Sequence, residues 1–387
     1  MADAYIVEAL RTPGGRARKG GLVGVHPADL GATVLNALVD RTGIDPASIE
    51  DVIVGCVTQG GEQAFAFGRN LVLASKLPDS VPAVTIDRQC GSSQQALHFA
   101  AQAVMSGTQD VVIAAGAESM TRVPMNSNWQ LHRAQGIGVG PWSPAIQKRY
   151  GVAEFSQFHG AQAIADKYGF SREDMDAFAL RSHGKAAAAI DAGAFKDEII
   201  PVESVDGIFD TDDGVRRGGT MEAMAQVKTL QEGGNITAAN SSQMTDGASG
   251  VLVVSEAALK RFNLTPIARI VNLTVTAGDP VIMLEEPIPA TRRALERSGI
   301  KLADIDLFEI NEAFASIPMA WLKALGADPA KLNVNGGAIA LGHPLGATGT
   351  KLMATLVHAL GRRRKRYGLQ AMCEGGGIAN VTIVERL

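Results

Sequence analysis

The sequence predicts an α/β protein made of two similar βαβ halves, with a loop-rich segment inserted between them. Two patterns carry this expectation: an alternation of strand-like and helix-like runs that appears twice, and a residue-level repeat linking the two appearances. In the first half AYIVEAL, LGATVLNALVDRTG, DVIVGCVTQG, VTID, SSQQALHFAAQAVMSG and DVVIAAGAES follow one another, which is the signature of a largely parallel sheet covered by helices. Near the end IARIVNLTV, IPATRRALERSG, DLFEIN, LNVN, TGTKLMATLVHAL and LQAMCEGGG repeat the order. The stretch from Leu38 to Asp51 lies over Ala294 to Leu307 at a constant offset of 256. Arg41/Arg297, Gly43/Gly299, Ile44/Ile300, Ala47/Ala303 and Ile49/Ile305 coincide. Each copy reads as helix, glycine stop, short turn and strand.

These landmarks place a first half at residues 1–120, completed by about 245–264, and a second half at 265–387. Residues 121–244 differ in character, being richer in Met, Gln, Trp and charge. They read as an inserted loop domain, the natural place for substrate selection. Open parallel sheets bind ligands at the carboxyl ends of their strands, so two similar halves are expected to bring functional loops to one shared edge. The run GRRRKRYG at 361–368 reads as a solvated helix end that complements the helix dipole.

Composition narrows the function classes. The 387 residues are 46% hydrophobic and only 5% aromatic, with 43 glycines, which suits close packing of helix on sheet. A formal charge of -4 and an isoelectric point near 6.0 provide no basic field for nucleic acid. No apolar stretch reaches the roughly 18 residues of a membrane span. The sequence opens without a charged and then apolar leader pattern, and Cys56, Cys90 and Cys373 are far apart with no CxxC pair. A reducing, cytoplasmic setting is the expectation.

Four segments carry chemistry. Cys90 lies in VTIDRQCGSSQQALHFAA, where a short strand gives way to an Ala-rich helix. Free N–H groups and partial positive charge at a helix start lower a thiol pKa, so a usable thiolate is expected, although a buried small apolar residue fits the same position. Asn333 to Gly349 gather five glycines around His343 and Pro344. They match neither GxGxxG nor a Walker A loop, leaving a close-fitting frame for an imidazole. Cys373 ends a strand before three glycines with open N–H groups, and Asn311 follows a strand in EINEAFA, where helix capping is the plainer reading.

Together CGSS at Cys90, NEAFA from Asn311, GGAIALGHPLGATG around His343 and CEGGG from Cys373 resemble the four signature blocks of the thiolases, in order and with similar separations. RTPGG at 11–15 and GAESM at 116–120 are also similar to thiolase segments. The resemblance spans essentially the whole chain. It implies a duplicated thiolase fold with a layered α/β/α/β/α core, assembled as a homodimer or homotetramer. It also implies that acyl-CoA and coenzyme A are substrates and that no cofactor is permanently bound.

By that resemblance Cys90 receives the acyl group as a thioester, His343 activates the thiol, and Cys373 protonates the departing acetyl-CoA carbanion or, in reverse, removes the α-proton. Asn311 holds a water that forms one oxyanion hole with His343, and the N–H groups of Cys90 and Gly375 form the other. Ser242, in NSSQMTDGA, would contact the pantetheine region, and Arg216, in VRRGG, the nucleotide end. A soft nucleophile, a proton donor and two oxyanion sites are what cleavage of a 3-ketoacyl thioester requires.

One segment departs from the family pattern. EFSQFHGAQAIADKYGFSRE replaces an MGxTAEN-like stretch that includes a histidine, and the sequence does not place His159 in that histidine's role. The variant resembles thiolases that degrade longer or bulkier 3-ketoacyl-CoAs, so degradative thiolysis is expected. The alternatives are acetyl-CoA acetyltransfer on acetoacetyl-CoA and a non-catalytic CoA- or lipid-binding role. A decarboxylating ketoacyl synthase would carry two histidines in place of Cys373.

Overall fold

The computed structural model describes residues 2–387. Its strands are β1 (Tyr5–Arg11), β2 (Gly15–Arg16), β3 (Asp51–Gly55), β4 (Ala83–Ile86), β5 (Val111–Glu118), β6 (Val202–Ser204), β7 (Gly207–Phe209), β8 (Thr245–Val254), β9 (Ala268–Ala277), β10 (Leu307–Ile310), β11 (Tyr367–Glu374) and β12 (Ile378–Arg386). β6 and β7 form a separate hairpin, and β2 pairs with β8. The others run in the order β4-β3-β5-β8-β1 and then β9-β12-β11-β10. The two halves of the sheet are joined by a short antiparallel pairing of β1 with β9, Tyr5 with Arg269 and Ile6 with Ala268.

The second half repeats the first, element for element. β10, β11, β12 and β9 follow the order of β3, β5, β8 and β1, and a parallel bridge from Phe308 to Leu332 occupies the place of β4. Helix Pro27–Thr42 stops at Gly43 (φ 65°) and helix Pro287–Ser298 at Gly299 (φ 71°), both left-handed. The step of 256 also separates the starts of β3 and β10, of β5 and β11, and of helices Ser92–Ser106 and Thr348–Arg363. The duplication therefore extends well beyond the segment in which it is legible in the sequence.

The sheet is mixed, where the alternation of runs predicts a largely parallel one. Between the named strands, parallel pairing is confined to β3 with β4 and β5, and to β10 with β11. The reason lies in the connections: β11 and β12 are joined by the tight turn at 375–377, and a turn that short closes only an antiparallel pair. β8 arrives from the inserted segment and pairs antiparallel with both β5 and β1.

Strand alternation builds the layers. On β5, Val111, Ile113, Ala115 and Ala117 face a core shared with helices Pro27–Thr42 and Phe67–Ala74, while Val112 and Ala114 face the other side. That other side is a central layer of helices Ser92–Ser106 and Thr348–Arg363, which contribute Leu97, Ala101, Met353 and Val357 among others. The central helices touch closely: a Cβ on Gly349 would overlap the backbone of Gln94. Beyond the second half's sheet, helices Pro287–Ser298 and Ser316–Leu325 cover Leu369, Ala371, Val381 and Ile383. The result is an α/β/α/β/α stack.

Within 121–244 the chain forms helices Ser127–Ala134, Pro144–Tyr150, Gln157–Tyr168, Arg172–Asp191 and Met221–Ala225. Ser171 and Asp174 close a reciprocal capping box at the start of the longest. Edge-to-face aromatic pairs link the first two helices to the following loop: Trp129 with Trp142 at 5.4 Å, Trp142 with Phe155 at 6.3 Å, and Tyr150 with Phe155 at 5.4 Å. The basic run ends helix Thr348–Arg363 and is exposed, with Arg364 left-handed at the cap.

Candidate active site

Cys90 sits where β4 has ended and helix Ser92–Ser106 has not yet begun. Gln89 is held left-handed at φ 48°, and the Ser92 hydroxyl locks the turn by accepting from Arg88 N (2.9 Å) and donating to Gln89 O (2.6 Å). A non-glycine residue in that region is strained, and such strain collects at sites that must present one side chain. Gly91 makes room for the Glu374 carboxyl group, which a Cβ there would overlap unless that side chain moved.

The other three residues come from the second half. Asn311 follows β10, Cys373 lies near the end of β11, and His343 lies between helices Ala338–Leu341 and Thr348–Arg363. Asn311 Nδ2 is 3.4 Å from His343 Nε2 and 3.9 Å from Cys373 Sγ. No helix begins at Asn311, so it faces the site and caps nothing, and its buried Oδ1 has no partner. His343 Nδ1 lies 2.6 Å from Thr348 Oγ1, which itself donates to Pro344 O at 2.7 Å. That hydroxyl has a single proton, so Nδ1 is the donor and Nε2 keeps its lone pair toward Asn311.

Electrostatics correct one expectation. The helix start does not leave Cys90 as a resting thiolate. Burial raises its pKa well above the ordinary value, and Cys373 and Glu374 raise it further. Cys373 is pushed up to about 12 by burial, against a lowering contact from Asn311, and so is not a near-neutral thiol. Burial lowers His343 to about 3, with the Lys351 cation adding to the effect. Burial thus favours two protonated thiols and a neutral imidazole at this site.

Cys90 and Gly375 line one cavity of about 400 Å³, with Val57, Met125, Trp129, Trp142, Phe155, Gln157, Met283 and Leu345 around it. Asn311, His343 and Cys373 are buried outside that lining. His159 is exposed on helix Gln157–Tyr168, and Gln157 faces the cavity in its stead. Arg216 is exposed and lines a separate concavity of about 310 Å³ with His183, Arg217 and Gly218. Ser242 is half-buried, and its N–H donates to Ala313 O at 2.9 Å.

Sequence reasoning missed the residues that hold this site together. Glu118, inside GAESM, is fully buried and accepts from Val57 N, Thr58 N, Gln63 Nε2 and Gly346 N at 2.8–3.0 Å. It thereby joins two loops of the cavity wall. Arg11, inside RTPGG, is buried in ion pairs with Glu198 and Asp212. Both lie in segments the resemblance singled out, but their partners are brought in by the fold alone.

Comparison with known proteins agrees with this architecture. The thiolase N-terminal domain profile matches residues 4–257 and the thiolase C-terminal domain profile residues 264–386. A steroid 3-ketoacyl-CoA thiolase of Mycobacterium tuberculosis is 53% identical, with 100% of this chain and 95% of that protein covered. A 3-ketoacyl-CoA thiolase of Bacillus subtilis is 40% identical with both covered fully. The crystal structure of the Bacillus anthracis acetyl-CoA acetyltransferase superposes with a TM-score of 0.91 at 36% identity, covering 100% of this chain and 99% of that one. Both family halves are thus present in one chain, in order and nearly end to end, and the chain belongs to the thiolase family of acyltransferases.

Proposed function

We propose that the protein carries out degradative thiolysis of 3-ketoacyl-CoA, releasing acetyl-CoA and passing the shortened acyl group to a second coenzyme A. The observation that supports this most is the pair of buried thiols, one at the cavity and one behind it in contact with the Asn311 amide. His343 Nε2 takes the Cys90 proton as Sγ adds to the 3-keto carbon. The C2–C3 bond breaks, and the acetyl-CoA carbanion takes the Cys373 proton. Coenzyme A then gives its thiol proton to Cys373, attacks the acyl-Cys90 thioester, and expels Cys90, which recovers its proton from His343. The backbone N–H groups of Cys90 and Gly375 and the His343–Asn311 pair receive the two oxyanions.

Residues 121–244 form the substrate domain in this reading, with Ser242 toward the pantetheine and Arg216 toward the phosphates. The relative named for steroid 3-ketoacyl-CoA and the aromatic wall of the cavity favour bulky, ring-bearing acyl groups. The protein works in the cytoplasm with no resident cofactor. The acetyl-CoA acetyltransferase neighbour is the one observation that favours acetoacetyl-CoA as substrate.

The test is CoA-dependent loss of 3-ketoacyl-CoA across a series from acetoacetyl to ring-bearing acyl groups, with Cys90→Ser and Cys373→Ser as controls. Turnover that rises with acyl bulk and falls by about 10³-fold or more in both variants supports the proposal. A preference for acetoacetyl-CoA moves the protein to acetyltransfer. No turnover of any member by folded protein with free thiols overturns it.

A further inference from the structure

Lys351 is buried three residues into helix Thr348–Arg363, yet its ammonium does not form a simple ion pair. Nζ donates to the carbonyl oxygens of Leu341 (2.9 Å) and Gly342 (3.2 Å), the two residues directly before His343. The same helix begins with Thr348, whose hydroxyl takes His343 Nδ1–H. One helix therefore grips the imidazole loop at two points. Two further contacts fix the loop from below: His343 N donates to Gln243 O (3.0 Å) and Thr245 Oγ1 (3.2 Å). Gly342, at φ 81°, has no room for a Cβ beside Thr245.

The charge around Lys351 is equally specific. Arg11 from β1, Glu198 and Asp212 from the inserted segment, and Glu309 from β10 all face it. Arg11 is committed to Glu198 and Asp212, and Glu309, driven toward its neutral form by burial, keeps an unpartnered Oε2. Lys351 is thus a cation without a dedicated carboxylate partner. His343 feels it directly, and the other groups in contact with the ring, Thr348 and Asn311, are uncharged.

We propose that Lys351 is the positioning residue of His343, fixing the loop through the carbonyls of Leu341 and Gly342 so that Nδ1–H meets Thr348, while its charge adds to burial in keeping the imidazole neutral. Its own pKa is lowered to about 8, chiefly by burial, so the cation is present below that pH. The RTPGG arginine enters the same design by pairing with Asp212 through two nitrogens and with Glu198 through Oε1, which leaves Glu198 Oε2 without a partner.

This inference rests on the proposed role of His343 as base, so the deciding readout is independent of turnover. ¹⁵N-histidine NMR of the full protein and of Lys351→Arg should show His343 as the neutral Nδ1–H tautomer down to about pH 5. Lys351→Gln, which keeps an N–H donor without the charge, should titrate at least 0.5 pH unit higher than the parent. In the acylation half-reaction, followed as acetyl-CoA released without added CoA, Lys351→Gln should lose about tenfold in rate or more with KM little changed, and Lys351→Arg should recover most of it. An unchanged His343 titration in a folded Lys351→Gln protein overturns the proposal. Failure of thiolysis in the parent with the NMR behaviour intact overturns the function and leaves the positioning role standing.

Discussion

The Glu374 carboxyl is buried, stacked on Gly91, and neither of its oxygens has a partner. Its counterpart one repeat earlier, Glu118, makes four hydrogen bonds. The same position thus fastens loops in one half and stands free close to Cys90 in the other. Burial holds the folded Glu374 carboxyl well above the usual range, whereas the unfolded chain returns it to about 4.3. Between those pH values the folded state binds more protons, so this group's contribution falls as pH rises. Glu374→Gln removes that dependence. Calorimetry should show the variant losing less thermal stability than the parent between pH 5 and pH 8; an equal or larger loss contradicts a neutral Glu374. At this scale Cys90, Asn311, His343 and Cys373 stand out in the sequence as candidates because each lies in a compact block of unusual composition. The state of the thiols was not, because a helix start argues for ionisation and only the fold reveals the burial that outweighs it.

Helix, glycine stop and strand were legible at both copies of the repeat, because local punctuation sets them and each copy uses the same residues. The direction of β8 and β12 was not, since it depends on where the chain enters the sheet and how short the connection is. The aromatic wall shows the same limit. Trp129 and Trp142 stand on or just before the short helices Ser127–Ala134 and Pro144–Tyr150, with Phe155 beyond them, and their spacing has no helical period. They meet only because the loop at 135–143 folds back, and together they line the cavity that holds Cys90. Trp142 touches both other rings, so Trp142→Ala should open the wall. A drop in kcat/KM of about tenfold or more is expected for ring-bearing 3-ketoacyl-CoAs, with acetoacetyl-CoA changed by less than about threefold. Equal losses on both substrates would place the wall outside acyl selection.

Across the whole molecule, the paired sheet leaves the outer side of β4 unpaired, since β4 bonds only to β3. Val84, in the middle of that edge, is 46% exposed, and Phe65, just before the neighbouring helix Phe67–Ala74, is 91% exposed. Phe65 and Ala66 are also both left-handed, at φ 53° and 51°. Two consecutive strained residues and an uncovered apolar edge are costly in an isolated chain, because an open strand edge invites pairing with other chains. The far end of the sheet carries no such burden: β10 is covered by the bridge to Leu332. An isologous contact in which β4 pairs with its own copy would satisfy the edge with one symmetry axis. We therefore expect a homodimer, or a tetramer built from it, through β4. Light scattering after size exclusion should give at least twice the mass of one chain, and Val84→Lys, which puts a charge into the middle of the contact, should yield the single-chain mass at micromolar concentration with the fold retained. A parent that runs as a monomer removes the dimer altogether, and a Val84→Lys protein that stays dimeric moves the interface to another face.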